Sequence, residues 1–317
     1  MNFIRFVYSC FFLLLMLISF NSCSIESAKA PEEKKLIILS DYLQNSDTIL
    51  FRNFILKEHI SVEIFNMESN RIIGLMRNQG NNVQADLILT KSLYDMHKMY
   101  RRELLQDLFF EDEIDPNTLK ISSIRYRYIG LGIDPFIIAN SHKKKVRTYN
   151  ELTEYDFINT LGEQELTPML SPVSSKLERV KANRWIQAFS QHKRSIKSIS
   201  DTLRNNLPIL TTYSEYNTNT DSLFQFKERF LTYPNGRSSG TFYNVRAAGI
   251  IHQAQNYNSA KKFLSFYAKM HNNLRFNESI HTLSIFEESA PFRRYKTPPE
   301  ELVKYYQTVD RVLHRIN

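Results

Sequence analysis

Leu36-Ile37-Ile38-Leu39 is the first of three short apolar stretches that decide the fold of this sequence. The other two are Ser61-Val62-Glu63-Ile64-Phe65 and Ala85-Asp86-Leu87-Ile88-Leu89. Each has the length and the apolar or alternating character of a β-strand. Residues 47–58 and 68–77 lie between the strands and carry apolar side chains at helical spacing, and a third helical stretch follows. This β-α-β-α-β-α order predicts a parallel sheet that is covered by helices on both faces.

Polar residues follow each strand at the edge where such sheets bind ligands. Ser40-Asp41-Tyr42 follows the first strand, Phe65-Asn66 the second and Thr90-Lys91 the third. Because ligands sit beyond the carboxyl ends of the strands, Asp41 is a candidate ligand contact, although it could instead cap the turn. Lys91 begins a helix, where backbone N–H groups and the helix dipole favour anions. Its alternative role is that of a solvent-facing lysine.

The rest of the chain continues with alternating strand and helix signals and without an internal repeat. Short strands are predicted at residues 124–128 and 136–139, around the turn Gly130-Leu131-Gly132. Residues 176–190 and 196–205 have the pattern of amphipathic helices. The remaining predicted elements are a short helix at 150–157, a strand at 208–212 that leads to Tyr213, a strand at 242–251, a helix at 259–271 and a final helix at 298–316.

The N-terminus has the features of an export signal. Residues 6–20 are almost entirely apolar, are too few to span a membrane and follow a weakly positive start. Residues 20–23 read Phe-Asn-Ser-Cys, which resembles a bacterial lipoprotein box and predicts a signal peptide at 1–22 with lipidation of Cys23. The alternative is a signal peptide that is cleaved elsewhere. Residues 23–35 are then a tether, and the expected location is the periplasm or cell envelope, with a lipid anchor to the membrane.

Charge and cysteine content exclude several classes of protein. The net charge is +8, and the only cysteines are Cys10 and Cys23, so the exported domain is expected to contain neither a disulfide nor a cysteine metal site. The basic residues are dispersed, which together with export argues against a nucleic-acid partner. The basic segment His142-Lys143-Lys144-Lys145 is interpreted as a solvated loop or, alternatively, a contact with an anionic membrane surface.

The sequence does not contain the motifs of common enzyme classes. It has no His-Glu-x-x-His, no Gly-x-Ser-x-Gly and no glycine-rich phosphate loop, and its eight histidines are scattered. We therefore expect a binding protein that is not an enzyme and has no cofactor.

Three stretches in the same order resemble those of a known family. Residues 36–108 are the first, and within them Ala-Asp-Leu-Ile-Leu-Thr at 85–90 is close to a family motif. Residues 170–175 read Leu-Ser-Pro-Val-Ser-Ser, and residues 239–250 read Ser-Gly-Thr-Phe-Tyr-Asn-Val-Arg-Ala-Ala-Gly-Ile. Together they resemble the periplasmic ferric-ion-binding proteins, a branch of the type II extracellular solute-binding proteins that serve ABC importers.

This resemblance implies a fold, a function and partners. The fold is a two-lobed α/β type II periplasmic binding protein fold, in which each lobe is a mainly parallel sheet flanked by helices. Residues 36–135 and 243–290 would form lobe 1, and residues 136–242 and 291–317 would form lobe 2. A monomer would capture iron(III) or an iron chelate in the cleft between the lobes, by hinge closure, and deliver it to a membrane permease.

The metal ligands of the family are only partly present. The resemblance implies a histidine at the position of Leu43, a glutamate at Lys91 and a tyrosine pair at Tyr213-Ser214. Tyr213 is the best candidate for a ligand contact, and Glu215 and Tyr216 are nearby substitutes for the missing metal ligands.

An anionic solute is the alternative ligand, because Lys91 puts a positive charge where a metal would bind. Thr90, Ser174 and Ser175 could complete a cradle for a carboxylate or a phosphate-like group, although Ser174 and Ser175 could instead cap a helix that begins at residue 176. An iron complex with an anionic chelator satisfies both interpretations. A further alternative is a solute sensor that signals to a membrane partner.

Overall fold

The computed structural model describes most of the chain beyond the predicted tether. It covers residues 34–108, 127–140, 145–194, 207–218, 230–235, 239–271, 273–284, 293–297 and 299–316. The predicted signal peptide, Cys23 and the predicted helix at 196–205 lie outside the described residues.

The first part of the chain forms the predicted alternation of strands and helices. Its elements are β1 (Lys34–Ser40), a 3-10 helix (Asn45–Phe51), α1 (Arg52–Glu58), β2 (Ile60–Asn66), α2 (Ser69–Gln79), a short 3-10 helix (Gly80–Asn82), β3 (Leu87–Thr90) and α3 (Leu93–Arg101). The strand order is β2-β1-β3, and β1 and β3 run parallel. Helix α3 begins at Leu93, two residues after the predicted start at Lys91, because the Ser92 side chain accepts a hydrogen bond from the Tyr94 N–H and caps the helix.

The middle of the chain forms a second group of strands and helices. Its elements are β4 (Ile129–Asn140), a 3-10 helix (Asn150–Thr153), β5 (Phe157–Asn159), α4 (Glu163–Lys176), α5 (Arg179–His192), β6 (Lys193–Arg194), β7 (Ile209–Thr212), α6 (Tyr213–Thr218) and β8 (Phe230–Thr232). Strand β5 is parallel to both β6 and β7.

The last elements return to both groups. They are β9 (Tyr243–Ile250), α7 (Tyr257–Met270), α8 (Leu274–Ser279), β10 (Leu283–Ser284) and α9 (Pro299–Ile316). Helix α9 packs against α3, α4 and α5. None of the helices in the described ranges is both long and apolar enough to cross a bilayer.

Strands β4 and β9 connect the two sheets. Residues 129–135 of β4 pair antiparallel with β9, which also pairs with β3, whereas residues 136–139 pair with β7. The predicted turn at Gly130-Leu131-Gly132 is wrong: these residues lie inside β4, every residue of which is buried. The register shift between Gly130 and Ile133 accommodates the glycines as a bulge. At Gly132 a Cβ would lie 2.8 Å from the Thr282 hydroxyl, so a larger residue does not fit.

Helix α4 was not predicted. Residues 170–175, which were expected to precede a helix beginning at 176, lie inside α4, which also includes Pro168 and Pro172. The helix forms despite its two prolines because Leu166, Met169 and Leu170 are buried in the core of the second sheet. A new helix, α5, then begins at Arg179.

The hydrophobic core divides near the crossing strands. Two clusters of buried residues draw on residues 36–108, 128–133 and 245–280. A third large cluster draws on residues 136–242 and 295–313. The two sheets therefore have largely separate cores, and β4 and β9 run between them.

Candidate ligand-binding cleft

A cavity of about 660 Å³ lies where the two sheets meet. One wall comes from the segment after β1 and from Lys91 after β3, and the other comes from the start of α4 and from the junction of β7 with α6. The residues that line it from these walls include Tyr42, Leu43, Gln44, Asp47, Lys91, Thr160, Gly162, Gln164, Glu165, Thr212, Ser214 and Glu215. Both sheets thus contribute polar side chains to one cavity.

Three polar residues on the crossing strands also line the cavity. Asp134 of β4 is the register partner of Asn244 of β9, and Arg246 follows two positions later on β9. Since side chains alternate along a strand, Asn244 and Arg246 share one face. Asp134, Asn244 and Arg246 are only 4%, 2% and 3% exposed. These strands therefore bring an acid, an amide and a guanidinium to the cleft.

Asp134 is engaged by the start of α6. Its Oδ1 accepts a hydrogen bond of 2.9 Å from the Ser214 backbone N–H, and its Oδ2 accepts one from the Ser214 hydroxyl. Burial raises the pKa of Asp134, while Arg246 and the hydrogen bonds from Ser214 act in the opposite direction. Asp134 thus links β4 to the residue that follows Tyr213.

Arg246 is held by uncharged groups. Its Nη1 donates a 2.8 Å hydrogen bond to the Ile280 carbonyl, and its Nη2 donates a long one of 3.5 Å to the His281 carbonyl. The guanidinium carbon lies 4.7 Å from the centre of the Tyr42 ring, within cation–π range. Its Nε is buried and has no hydrogen-bond partner among the described residues.

Lys91 is held by acidic groups instead. Its backbone N–H donates a 2.7 Å hydrogen bond to Asp41 Oδ1, and its Nζ lies 2.7 Å from Oε1 of Glu165. Burial lowers the pKa of Lys91, but the surrounding carboxylates, with that of Glu165 foremost, outweigh it and leave the pKa above its ordinary value. Glu165 belongs to α4, so this ion pair joins the two walls of the cleft.

Asp41 connects elements next to the cleft through hydrogen bonds of its side chain. Besides Lys91, it accepts a 2.5 Å hydrogen bond from the Ser69 hydroxyl at the start of α2. Burial raises the pKa of Asp41 to about 6, against the opposing effect of the hydrogen bonds from Ser69 and Lys91. The residue does not belong to the described lining of the cavity, and its hydrogen bonds connect β1 to α2 and to the end of β3.

Of the three predicted metal ligands, only Glu215 lines the cavity. Its Oε2 accepts hydrogen bonds from Thr160 at 2.8 Å and Thr211 at 3.0 Å, and burial raises its pKa. Tyr213 interacts electrostatically with Tyr233, and Tyr216 packs against a small apolar cluster that includes Ile209. In the described part of the chain, no three His, Cys, Asp or Glu side chains are placed to hold a metal ion.

The predicted anion cradle is not assembled around Lys91. The Thr90 side chain is fully buried and donates its hydroxyl to the Ser92 carbonyl at 3.0 Å. Ser174 and Ser175 lie in the last turn of α4, where the Ser175 hydroxyl donates to the Pro172 carbonyl at 2.9 Å. The capping interpretation of these serines is therefore wrong: both lie inside α4, and the next helix, α5, begins only at Arg179.

Four charged residues of the cleft were not predicted from the sequence: Asp47, Asp134, Glu165 and Arg246. Two of them carried a usable signal, since Asp134 and Arg246 each interrupt a buried strand of otherwise apolar or small residues. A charged residue in such a strand needs a partner or a function. Glu165 gave no comparable signal, because its pairing with Lys91 depends on how α4 is oriented across the cleft.

Comparisons with known proteins support the fold. No protein-family model matches the sequence, and no curated protein does. Among solved structures, a FutA protein of Trichodesmium in complex with iron and citrate matches with a TM-score of 0.73 at 16% identity, over 89% of this chain and 99% of that one. The ferric-binding protein of Campylobacter jejuni matches with a TM-score of 0.75 at 14% identity, over 89% and 99% of the two chains.

A third match is iron-bound HitA of Pseudomonas aeruginosa, with a TM-score of 0.65 at 14% identity, over 88% of this chain and 98% of that one. At these identities the comparisons establish the fold, which covers nearly the whole length of each neighbour. The chain has the two-lobed α/β fold of periplasmic binding proteins, and the predicted resemblance to ferric-binding proteins is confirmed at the level of the fold.

Proposed function

We propose that this chain is the substrate-binding protein of an ABC-type importer and that its two lobes close over a small solute. The observation that carries this proposal is the cavity, which is lined by polar residues of both sheets and lies where β4 and β9, among the described strands, connect them. A ligand that contacts both walls favours the closed state by its higher affinity for that state. The proposed lobes divide before residue 136 and after residue 242, and the largely separate hydrophobic cores on the two sides support this division.

The proposed solute is iron(III) in a complex with an anionic chelator. Several neighbours of known structure are ferric-binding proteins, and the FutA protein of Trichodesmium was solved with iron and citrate. A bare ion suits this cleft poorly, because no three His, Cys, Asp or Glu side chains of the described residues are placed to hold a metal ion. A cavity of about 660 Å³ also has the size of a site for a small organic ligand.

Direct contacts from Tyr213, Tyr216 and Glu215 to the iron stay a prediction within this proposal. Glu215 already lines the cavity, while the tyrosines would have to reorient to approach it. Metal-free binding of an anionic organic solute is the second candidate, and the specific observation that favours it is the buried guanidinium of Arg246 in the wall of the cavity.

The cellular setting is proposed on the same basis. Export by the predicted signal peptide and lipidation of Cys23 would tether a monomer to the membrane beside its permease partner. Binding of a solute in the cleft requires no chemical reaction by the protein. A sensor would use the same cleft, and a sensor kinase encoded next to this protein would favour that alternative over an importer component.

Native mass spectrometry of the purified full-length chain tests this function. The probes are ferric citrate, Fe³⁺ alone, citrate alone, inorganic phosphate and a polyamine. We expect one ferric citrate complex per chain, and small-angle scattering should show a more compact particle when it binds. The proposal is contradicted if the chain binds neither ferric citrate nor any other anionic probe. Tight binding of Fe³⁺ alone would contradict the proposal that the solute is an iron complex with a chelator.

A further inference from the structure

We propose that Arg246 is the anion-recognition residue of the cleft and that it binds a carboxylate group of the solute. The inference rests on the proposed function and adds a subsite and a ligand chemistry to it. Four observations carry it: the position of Arg246 in the wall of the cavity, its burial, the absence of a charged partner and its fixed orientation.

The first observations are the position and burial of the charge. Arg246 lines the cavity between the sheets and yet is only 3% exposed. A buried charge that is neither solvated nor paired is unfavourable. A residue that retains such a charge at a cavity therefore favours a ligand of opposite charge.

Arg246 has unused capacity to donate hydrogen bonds. A guanidinium carries five N–H groups, and the described protein accepts from Nη1 and Nη2 through the carbonyls of Ile280 and His281. Nε has no hydrogen-bond partner among the described residues but is itself buried, so a ligand in the cavity would bind the remaining N–H groups of Nη1 and Nη2. None of the ion pairs among the described residues includes Arg246. Asp134 interacts with Arg246 electrostatically, and both oxygens of Asp134 also accept from Ser214.

The guanidinium is also held in one orientation. The two carbonyls follow helix α8, and the Tyr42 ring lies against the guanidinium at 4.7 Å. The Tyr42 hydroxyl is itself hydrogen-bonded to that of Tyr267 at 2.9 Å. A planar fork that is fixed before binding loses little entropy when it pairs with a planar carboxylate.

Asn244 supplies a second donor beside Arg246. Its Oδ1 accepts a 2.9 Å hydrogen bond from the Val245 N–H, so its Nδ2 is the group that it can offer to a ligand. Lys91, the other cation of the cavity, is already neutralised by Glu165. The lining also includes Asp47, Asp134 and Glu215, whose negative charges disfavour a phosphate dianion more than a singly charged carboxylate.

Calorimetric titration of the full-length protein with citrate and with ferric citrate tests the subsite. We expect Arg246→Gln to weaken both by at least about 100-fold, because a buried partner of the anion is lost. Arg246→Lys keeps the charge but not the fork and should weaken them by about tenfold. Arg127→Gln is the matched control: its guanidinium pairs with Asp107 outside the cleft, and affinity should stay within about twofold.

A second measurement covers the case in which Arg246→Gln does not fold. In the wild-type protein, the Nε–H NMR signal of Arg246 should shift on addition of citrate and should not shift on addition of inorganic phosphate. Unchanged affinity in a folded Arg246→Gln, an unmoved Nε–H signal in the citrate complex or equal affinity for phosphate would overturn the carboxylate subsite. Those results would leave solute capture intact, whereas the proposed function fails if the wild-type protein binds none of the probes.

Discussion

Lys91 and Arg246 are cations of the same cavity, but their surroundings differ. The carboxylate of Glu165 pairs with the Lys91 side chain, and that of Asp41 accepts from the Lys91 backbone N–H. Asp95 belongs to the same acidic group, because, besides burial, the charges of Asp41 and Glu165 raise its pKa. Around Arg246 the structure places two backbone carbonyls, an aromatic ring and an Asp134 that is engaged by Ser214. The positive charge of Lys91 is paired with a carboxylate of the protein. The positive charge of Arg246 has no ion pair among the described residues, and we propose that a ligand provides one.

The comparison shows why charge alone is a poor guide to a binding residue. The sequence interpretation selected Lys91 because it begins a helix after a strand, where anions commonly bind. The ion pair with Glu165 gives Lys91 a role that joins the two walls of the cleft. Arg246 lies in the middle of a strand, away from any helix start, and yet has the free donors that an anion needs.

The largest effect expected from this comparison is on stability. Lys91→Met should lower the unfolding free energy by about 2 kcal/mol, because Glu165 would remain almost buried without a cation. The exposure of Lys91, 38% of its side chain, keeps this below the cost of breaking a fully buried pair. Arg246→Met breaks none of the ion pairs among the described residues and should lower the unfolding free energy by less than about 1 kcal/mol. Urea denaturation measures the unfolding free energy of both variants. An equal decrease for the two would show that Lys91 and Arg246 do not differ in how their charges are paired.

A smaller effect is expected at Asp95, in the acidic group behind Lys91. Burial raises the pKa of Asp95 to about 7, although Lys98 opposes this effect. Because the folded state holds the proton more tightly than the unfolded state, Asp95 favours folding at low pH, and this contribution is lost as the pH rises from about 4 to about 7.

Asp95→Asn should therefore raise the unfolding free energy by about 1 kcal/mol near pH 8 and leave it almost unchanged near pH 4. Denaturant titrations at the two pH values measure the difference. Asp156→Asn is the control, because Asp156 is 41% exposed in its pairs with His192 and Arg194 and its loss should change stability by less than about 0.5 kcal/mol. A pH-independent effect of Asp95→Asn would show that the acidic group does not hold a proton in this range.

The smallest effect is expected at Tyr213. This residue does not line the cavity with Arg246 and must reorient to contact the iron, so we expect Tyr213→Phe to weaken the affinity for ferric citrate by only about twofold. The visible absorption of the ferric complex provides a separate readout. A tyrosinate-to-iron charge-transfer band that disappears in Tyr213→Phe would establish direct ligation and would extend the solute from Arg246 to the start of α6.

Local sequence patterns predicted the first sheet well and the middle of the chain less well. The alternation of β1, α1, β2, α2, β3 and α3 follows from apolar periodicity within short windows. Helix α4 was not predicted, because residues 170–175 were placed before a helix that begins at 176, and the core packing that keeps Pro168 and Pro172 within α4 is not contained in the local pattern. Strand β4 was split at its glycines because the bulge opposite β9 depends on a distant partner strand.

The amino-acid sequence by itself determined the fold class, the export signal expected at the N-terminus and the candidate positions at the ends of strands. These are properties of neighbouring residues, whose hydrophobicity and spacing act locally. Only the tertiary structure decided which cation has an ion pair among the described residues, since Glu165 reaches Lys91 across the cleft while Arg246 is held by the carbonyls of residues 280 and 281 and by the Tyr42 ring. Electrostatic interactions depend on distance in space and on burial, and both are set by packing between segments that are far apart along the chain.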